Sequence, residues 1–152
     1  MKEKVITIDE CEKQVKLAVR LMGLLYYHFA KVLIDELGEK EGKRLISLAI
    51  KNFGLDRGKM IREKALKLGL KLTPESFNKF SDLPKLGWGG MDRRSFCPLA
   101  EVWFEKNAVE LGKLYCDVDI YKYRGFNPKI KIKRVKWVLE GDEICKYHVT
   151  LQ

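Results

Sequence analysis

The residues best suited to chemistry in this 152-residue sequence are cysteines of its C-terminal half and the carboxylates near them. Three of its four cysteines lie there, at Cys97, Cys116 and Cys145, together with the carboxylates Asp119 and Asp142. Thiolates act as nucleophiles and metal ligands, and carboxylates transfer protons. These residues are therefore the candidate catalytic set, and Cys97, Cys116 and Cys145 are also candidate metal ligands.

The expected positions of the thiols bring them towards one pocket. Cys97 stands just before a proline suited to the first position of a helix, where the helix N-terminus should lower the thiol pKa. Cys116 and Asp119 are three residues apart on a predicted helix and should share a face. Cys145 faces the interior of the last predicted strand, and His148 points the other way. The alternative is that all three thiols are small buried hydrophobic side chains.

Three further residues are candidates for substrate binding. Arg93 and Arg94 precede Cys97 in a segment rich in Gly, Pro and charge, and two guanidinium groups can clamp a carboxylate. Asn127 precedes a proline, where it either contacts a substrate or only ends a helix. Asp142 likewise has a second interpretation, because a Gly-Asp pair often closes a turn with the carboxylate bonded to local backbone.

Composition bounds the class of protein. The sequence is 46% hydrophobic and 34% charged, which predicts one folded domain over residues 1–152. Four cysteines without a CxxC pair, and an N-terminus that does not resemble a signal peptide, favour free thiols in the cytoplasm. The net charge of +9 favours a small anionic substrate or ligand, and no nucleic-acid-binding motif accompanies it.

The longest apolar stretch, residues 17–37, is interrupted by charged residues and His28, so we do not expect it to span a membrane. It should form a soluble helix that is buried or pairs with a second copy in a homo-oligomer. Gly38 should end this helix, and a second helix from residue 39 either stops between Gly54 and Gly58 or continues to Gly69.

The rest of the chain predicts short helices followed by a β-hairpin. Helices are expected after Thr73, over residues 99–107 and over residues 111–123. Residues 129–139 should form a strand with a bulge near Lys133 or Arg134, and residues 144–151 should return beside it. The predicted fold class is α+β, with an N-terminal helical layer packed on a C-terminal antiparallel sheet.

With these residues in place, the sequence resembles the L-2-amino-thiazoline-4-carboxylic acid hydrolase family. The resemblance lies in the order and spacing of several short motifs, which cover most of the chain: Phe53-Gly54-Leu55-Asp56-Arg57-Gly58, Ile61-Arg62, Cys97-Pro98-Leu99-Ala100, Tyr115-Cys116-x-x-Asp119, Gly125-Phe126-Asn127-Pro128 and Glu140-Gly141-Asp142-x-x-Cys145.

The resemblance implies hydrolysis of a cyclic amidine carboxylate: water adds at the ring carbon between nitrogen and sulfur, and the ring opens to an N-carbamoyl cysteine. Either a Cys97 thiolate or an Asp-activated water would attack, and Asp119 or Asp142 would carry a proton to the leaving sulfur. The Gly-Asp-x-x-Cys turn is also similar to small-molecule-binding domains named after 4-vinyl reductase, where cysteines accompany zinc. A binding or sensor module is therefore the alternative function, and zinc is the expected ion if one is bound.

Overall fold

The structure is a computed structural model, and it describes residues 5–80, 82–88 and 96–152. The described residues form a largely helical protein with a C-terminal β-hairpin, which confirms the predicted α+β class. In chain order the elements are α1 (Ile8–Lys67), α2 (Pro74–Lys79), α3 (Pro98–Glu105), α4 (Val109–Cys116), α5 (Val118–Phe126), β1 (Ile130–Lys136), a 3-10 turn (Val138–Glu140) and β2 (Lys146–Leu151).

Helix α1 is two helical arms joined at a kink. Gly38 adopts φ 78° and ψ 163°, a left-handed backbone conformation that favours glycine, so the break predicted there is confirmed. After the kink the chain returns towards the first arm, because a Cβ added at Gly42 would lie only 2.8 Å from the Cα atom of Ile34. The second arm runs without interruption through Gly54 and Gly58, which decides between the two predicted alternatives.

Helix α5 packs very closely against the second arm of α1, through glycines on both helices. A Cβ at Gly54 would lie 2.6 Å from Tyr121 Cβ, and one at Gly58 would lie 2.7 Å from the backbone nitrogen of Phe126 and collide with the carbonyl oxygen of Lys122. On the facing helix, a Cβ at Gly125 would collide with the carbonyl oxygen of Leu55. The two backbones therefore approach to a distance that no side chain larger than glycine permits.

Two apolar clusters hold the layers together. Trp103 of α3 is fully buried at the centre of the larger cluster, with the rings of Tyr26 and Tyr115 at 5.2 and 5.8 Å between centroids. Phe126 is fully buried in the smaller cluster, where Phe77 of α2 meets it edge-on. The smaller cluster also contains Ile130 of β1, so it fixes the hairpin against α2, α5 and the end of α1.

The C-terminal elements follow the predicted pattern with two differences. The helix predicted over residues 111–123 is broken at Asp117 into α4 and α5. The strands pair antiparallel with Ile132 opposite Val149, and the register shifts between Arg134 and Lys136, slightly later than the predicted bulge. Tyr147 lies on the inner face of β2, as expected from the alternation of the strand.

One helix of the described residues, α1, is long and apolar enough to cross a membrane when judged by length and composition alone. Core helices of soluble proteins pass the same test. Only 17% of the apolar window is buried inside the protein.

We predict that Gly58→Ala destabilises the protein, although alanine is normally the better helix former by about 1 kcal/mol. The added methyl group would be forced into the backbone of α5, and overpacking of this kind costs about 1–3 kcal/mol or more. Urea unfolding followed by circular dichroism measures the change. Lys59→Ala, at the exposed neighbouring position, is the control and should leave the free energy of unfolding unchanged or slightly higher. Equal stability of the two variants would contradict the close approach of α1 and α5.

Candidate functional site

A cavity opens where α1, α3, α4 and α5 meet the hairpin. It encloses about 610 Å³, including the part that opens to solvent. Cys97, Cys116, Cys145 and Asp119 all line it, as the sequence predicted. The remaining lining residues are Arg57, Leu83, Trp88, Leu99, Tyr115, Val118 and Tyr147.

Local structure explains how residues so distant in sequence meet. Cys97 is the N-cap of α3, and Cys116 is the last residue of α4. The break at Asp117 starts a new helix, which places Asp119 in the first turn of α5. Cys145 directly precedes β2, and the inward side of that strand adds Tyr147. Helix ends and a strand end thus supply the polar groups, and the apolar clusters fix their spacing.

The thiols are protonated at neutral pH. Burial raises the pKa of Cys97, and this effect exceeds that of the backbone N–H groups of Ala100 and Leu99, which lower it. The prediction of a lowered Cys97 pKa at the helix N-terminus is therefore wrong, because desolvation of a thiolate in apolar surroundings outweighs the end of a short helix. Burial also raises the pKa of Cys145, and it raises the pKa of Cys116 to about 12.

A chain of charged groups connects Arg57 and Asp119, which both line the cavity, through Asp82 and Lys122. The Arg57 guanidinium donates from Nε and Nη2 to the two carboxylate oxygens of Asp82, at 2.5 and 2.9 Å. The Lys122 ammonium, only 7% exposed, lies 3.4 Å from Asp82 and 3.5 Å from Asp119. Burial would raise the pKa of Asp82, but Arg57 and Lys122 outweigh it and lower that pKa. The Tyr147 hydroxyl donates to Asp119 at 3.0 Å, which completes the chain.

Two of these charged groups, Asp119 and Arg57, line the cavity. The Asp119 side chain is 34% exposed, although Tyr147 and Lys122 hold its two oxygens. Arg57 donates from Nε and Nη2 to Asp82. Among the described residues of the polypeptide, its Nη1 has no hydrogen-bond acceptor. The cavity therefore offers a carboxylate and a guanidinium in surroundings that are otherwise mainly apolar or neutral.

Asp142 and Asn127 do not line this cavity. The Asp142 carboxylate accepts the backbone N–H of Trp137 at 2.7 Å, which closes the turn before β2. Asn127 ends α5; its amide group donates to the carbonyl of Leu72 at 2.7 Å, and its side-chain oxygen accepts the N–H of Lys129 at 3.0 Å. Both side chains thus have the local structural role that was their alternative interpretation.

Two groups of predicted residues stay predictions. Arg93 and Arg94, the expected carboxylate clamp, lie outside the described residues. Cys97, Cys116 and Cys145 share a cavity, but no group of three or more His, Cys, Asp or Glu side chains among residues 5–80, 82–88 and 96–152 is arranged to hold a metal ion. The described geometry gives no support to the zinc hypothesis.

Sequence reasoning missed four polar residues of the site: Arg57, Asp82, Lys122 and Tyr147. Some signals were present. Lys122 follows Asp119 at the i,i+3 spacing of a helical ion pair, and Tyr147 shares the strand face of Cys145. Arg57 lies between two glycines that bring α1 against α5, but nothing in the sequence indicates its partner Asp82 in the irregular segment before Trp88.

The fold and the cavity together define an α+β protein with a cavity lined by thiols, a carboxylate and a guanidinium. The family model for L-2-amino-thiazoline-4-carboxylic acid hydrolase matches residues 19–149, so the chain belongs to that family, as its motifs indicated. A hydrolase-like function of that family follows from the match. No curated protein and no solved structure matches the chain significantly.

We predict that Cys116 reacts slowly with iodoacetamide in the native protein. A pKa raised from 9.0 to about 12 reduces its thiolate fraction at neutral pH roughly a thousandfold. Peptide mapping by mass spectrometry after timed alkylation at pH 8 measures each cysteine, and the protein in denaturant, where all four thiols should react alike, is the control. Cys97 and Cys145 should also react more slowly when native. Faster alkylation of Cys97 in the native protein than in denaturant would contradict a raised pKa and would support Cys97 as a thiolate nucleophile.

Proposed function

We propose that the cavity binds a small cyclic amidine that carries a carboxylate, of the 2-amino-thiazoline-4-carboxylate type, and opens its ring by adding water. The observation that carries this proposal is the pairing of Asp119 and Arg57 on one cavity lined by protonated thiols. An amidine that is protonated and a carboxylate give the ligand one charge of each sign. The cavity offers the opposite charges.

Recognition follows from the hydrogen-bonding capacity that Arg57 Nη1 and the second lone pairs of the Asp119 oxygens still have. Arg57 Nη1 donates to the ligand carboxylate, while its other nitrogens stay on Asp82, so the guanidinium is oriented before the ligand arrives. Asp119 faces the amidinium. Apolar side chains such as Leu99 and Val118 contact the flat ring and keep bulk water away. Arg57 takes the role that the sequence had given to Arg93 and Arg94.

The chemistry uses Asp119 as base and then as acid. Asp119 takes a proton from a water molecule while the water oxygen bonds to the ring carbon between nitrogen and sulfur. The adduct then forms its carbonyl, its hydroxyl proton passes to solvent, and the carbon–sulfur bond breaks. The leaving sulfur takes the proton from Asp119, which gives the free thiol of an N-carbamoyl cysteine. Lys122 and Tyr147 hold the carboxylate in place during both transfers.

This mechanism leaves the thiols as part of the cavity wall. With raised pKa values, Cys97, Cys116 and Cys145 are neutral at pH 7 and supply polarisable, weakly polar surface to a sulfur-containing ring. The same neutrality favours the second candidate function, a binding or sensor module that holds such a ligand without turning it over.

We predict that Asp119→Asn lowers turnover by about 10²–10⁴-fold, because the amide cannot take up and return the proton. The assay measures free thiol released from 2-amino-thiazoline-4-carboxylate, after filtration has removed the protein and its own thiols. Asp142→Asn is the matched control: the same change is made outside the cavity, and the amide oxygen can still accept the N–H of Trp137. It should retain near wild-type turnover.

Other outcomes of this assay assign the chemistry differently. A Cys97→Ser variant that loses turnover as completely as Asp119→Asn, with an unchanged melting temperature, would establish thiolate attack. Absence of thiol release by the unmodified protein, combined with binding of the ring carboxylate in calorimetry, would establish the binding module. Neither release nor binding would reject the proposed function.

We predict that Arg57→Lys raises KM about tenfold to a hundredfold and changes kcat much less, because a charged hydrogen bond to the substrate contributes about 1.5–3 kcal/mol. A lysine can keep the ion pair with Asp82 but cannot bond Asp82 and the ligand together. Arg62→Lys on the same helix, outside the cavity lining, is the control and should keep both constants. An unchanged KM for Arg57→Lys would remove Arg57 from the binding site.

A further inference from the structure

We propose that two copies of this chain pair through an exposed apolar stripe on the first arm of α1. The α1 stripe consists of five large side chains that are each between 53% and 65% exposed: Leu17, Leu21, Leu25, Phe29 and Val32. The first four repeat every four residues and the last follows after three, so they lie on one side of the helix. The proposal is independent of the catalytic function.

Residues 5–80, 82–88 and 96–152 leave the α1 stripe exposed. The opposite side of the same arm is already occupied, because Val19, Gly23 and Ala30 are buried there and a Cβ at Gly23 would lie 3.0 Å from Leu99 of α3. Arg20 further fixes the arm, since it donates to Glu101 and Glu105 of α3 at 2.7 to 2.9 Å. Rotation of the helix to bury the stripe would break both sets of contacts.

The stripe has the area of a weak but specific interface. A fully exposed Phe presents roughly 150–250 Å² and Leu or Val somewhat less, so five side chains at these exposures give about 400–500 Å² on each copy. Two copies would bury about 800–1,000 Å² in total, which is the size of a weak, transient complex. A dimer with a dissociation constant in the micromolar range is the expectation.

The spacing of the stripe fits a second helix of the same kind. Leu17, Leu21, Leu25 and Phe29 form an unbroken ridge of the i±4 type, and packing of such a ridge into the grooves of a second helix at a crossing angle of about 20° keeps the two helices in contact along the stripe. A twofold axis makes the interface self-complementary, as most homodimers require. The shape of the stripe therefore fits a second copy of the same helix.

Charge selects the antiparallel orientation. Lys13 and Asp35 are exposed at opposite ends of the stripe, about six helical turns apart, and lie on the same flank. An antiparallel pair centred near Leu24 brings Lys13 of each copy beside Asp35 of the other, where it joins the ion pair that Asp35 already makes with Lys31. A parallel pair would instead place like charges together.

An anionic membrane surface is a poorer partner for the same side chains. Asp35 and Glu36 lie on the exposed side at the C-terminal end of the stripe, where they would approach lipid phosphates. Lys13 and Lys31 on the flank of the stripe would attract those phosphates, but Lys31 is already paired with Asp35. The acidic end therefore favours a second copy of this chain.

Sedimentation velocity of the full chain, over concentrations up to about 100 µM, tests the proposal. The weight-average mass of the unmodified protein should rise with concentration from 17.7 kDa towards twice that value. Leu25→Asp should raise the dissociation constant at least tenfold. Leu66→Asp, on the second arm at a position 52% exposed, is the matched control and should leave the dimer intact.

A charge swap keeps the test decisive if Leu25→Asp fails to fold. Lys13→Glu alone should weaken the dimer, and Lys13→Glu combined with Asp35→Lys should restore it. A protein that stays at 17.7 kDa up to 100 µM would overturn the proposal. Equal loss of the dimer in Leu66→Asp would also overturn it, as would flotation of the monomer with vesicles containing anionic phospholipid.

Discussion

The close approach of α1 and α5 is the constraint on which the cavity depends. Gly54 and Gly58 on one helix and Gly125 on the other let the two backbones touch, and the contact places Arg57 beside the start of α5. A single methyl group between the helices would increase their separation by an ångström or more, while Asp82 links them by hydrogen bonds of 2.5 and 2.9 Å to Arg57 of α1 and an ion pair of 3.4 Å to Lys122 of α5. Backbone packing therefore sets the electrostatic geometry of the site.

Burial explains the chemical character of the thiols. A cysteine at a helix N-terminus has a lowered pKa when solvent or a nearby positive charge also stabilises the thiolate, as in many reactive-cysteine enzymes. Cys97 lacks that compensation because it packs against the larger apolar cluster, and Cys116 is affected still more strongly. In the proposed mechanism the charge is held instead by Asp119, which Tyr147 and Lys122 orient.

Much of the fold could be predicted from the sequence because its signals are local. The N-cap at Thr73, the break at Gly38 and the inward side of β2 each depend on neighbouring residues, and each is confirmed. The break at Asp117 was missed because apolar residues continue at helical spacing across it. The convergence of the thiols with Asp119 was predicted from their elements, whereas Asp82 and its partner Arg57 were not.

The prediction of a lowered pKa for Cys97 was wrong for a related reason. The sequence shows that a helix begins after Cys97, but it does not show how much apolar surface covers the thiol. That burial decides whether the pKa of Cys97 is raised or lowered. Asp142 and Asn127 show the converse case. Their turn and cap positions were visible in the sequence, and the local hydrogen bonds alone account for both residues.

Lys122 links the stability of the helix pair to the polarity of the cavity. Its carbonyl lies against Gly58, and its buried ammonium is neutralised by Asp82 and Asp119 together. Loss of one partner from a buried ion pair costs about 3–5 kcal/mol, while replacement of the whole group by apolar residues costs far less. Among relatives that have lost the aspartates, the lysine should therefore be lost as well, so these three positions should change as a set during evolution.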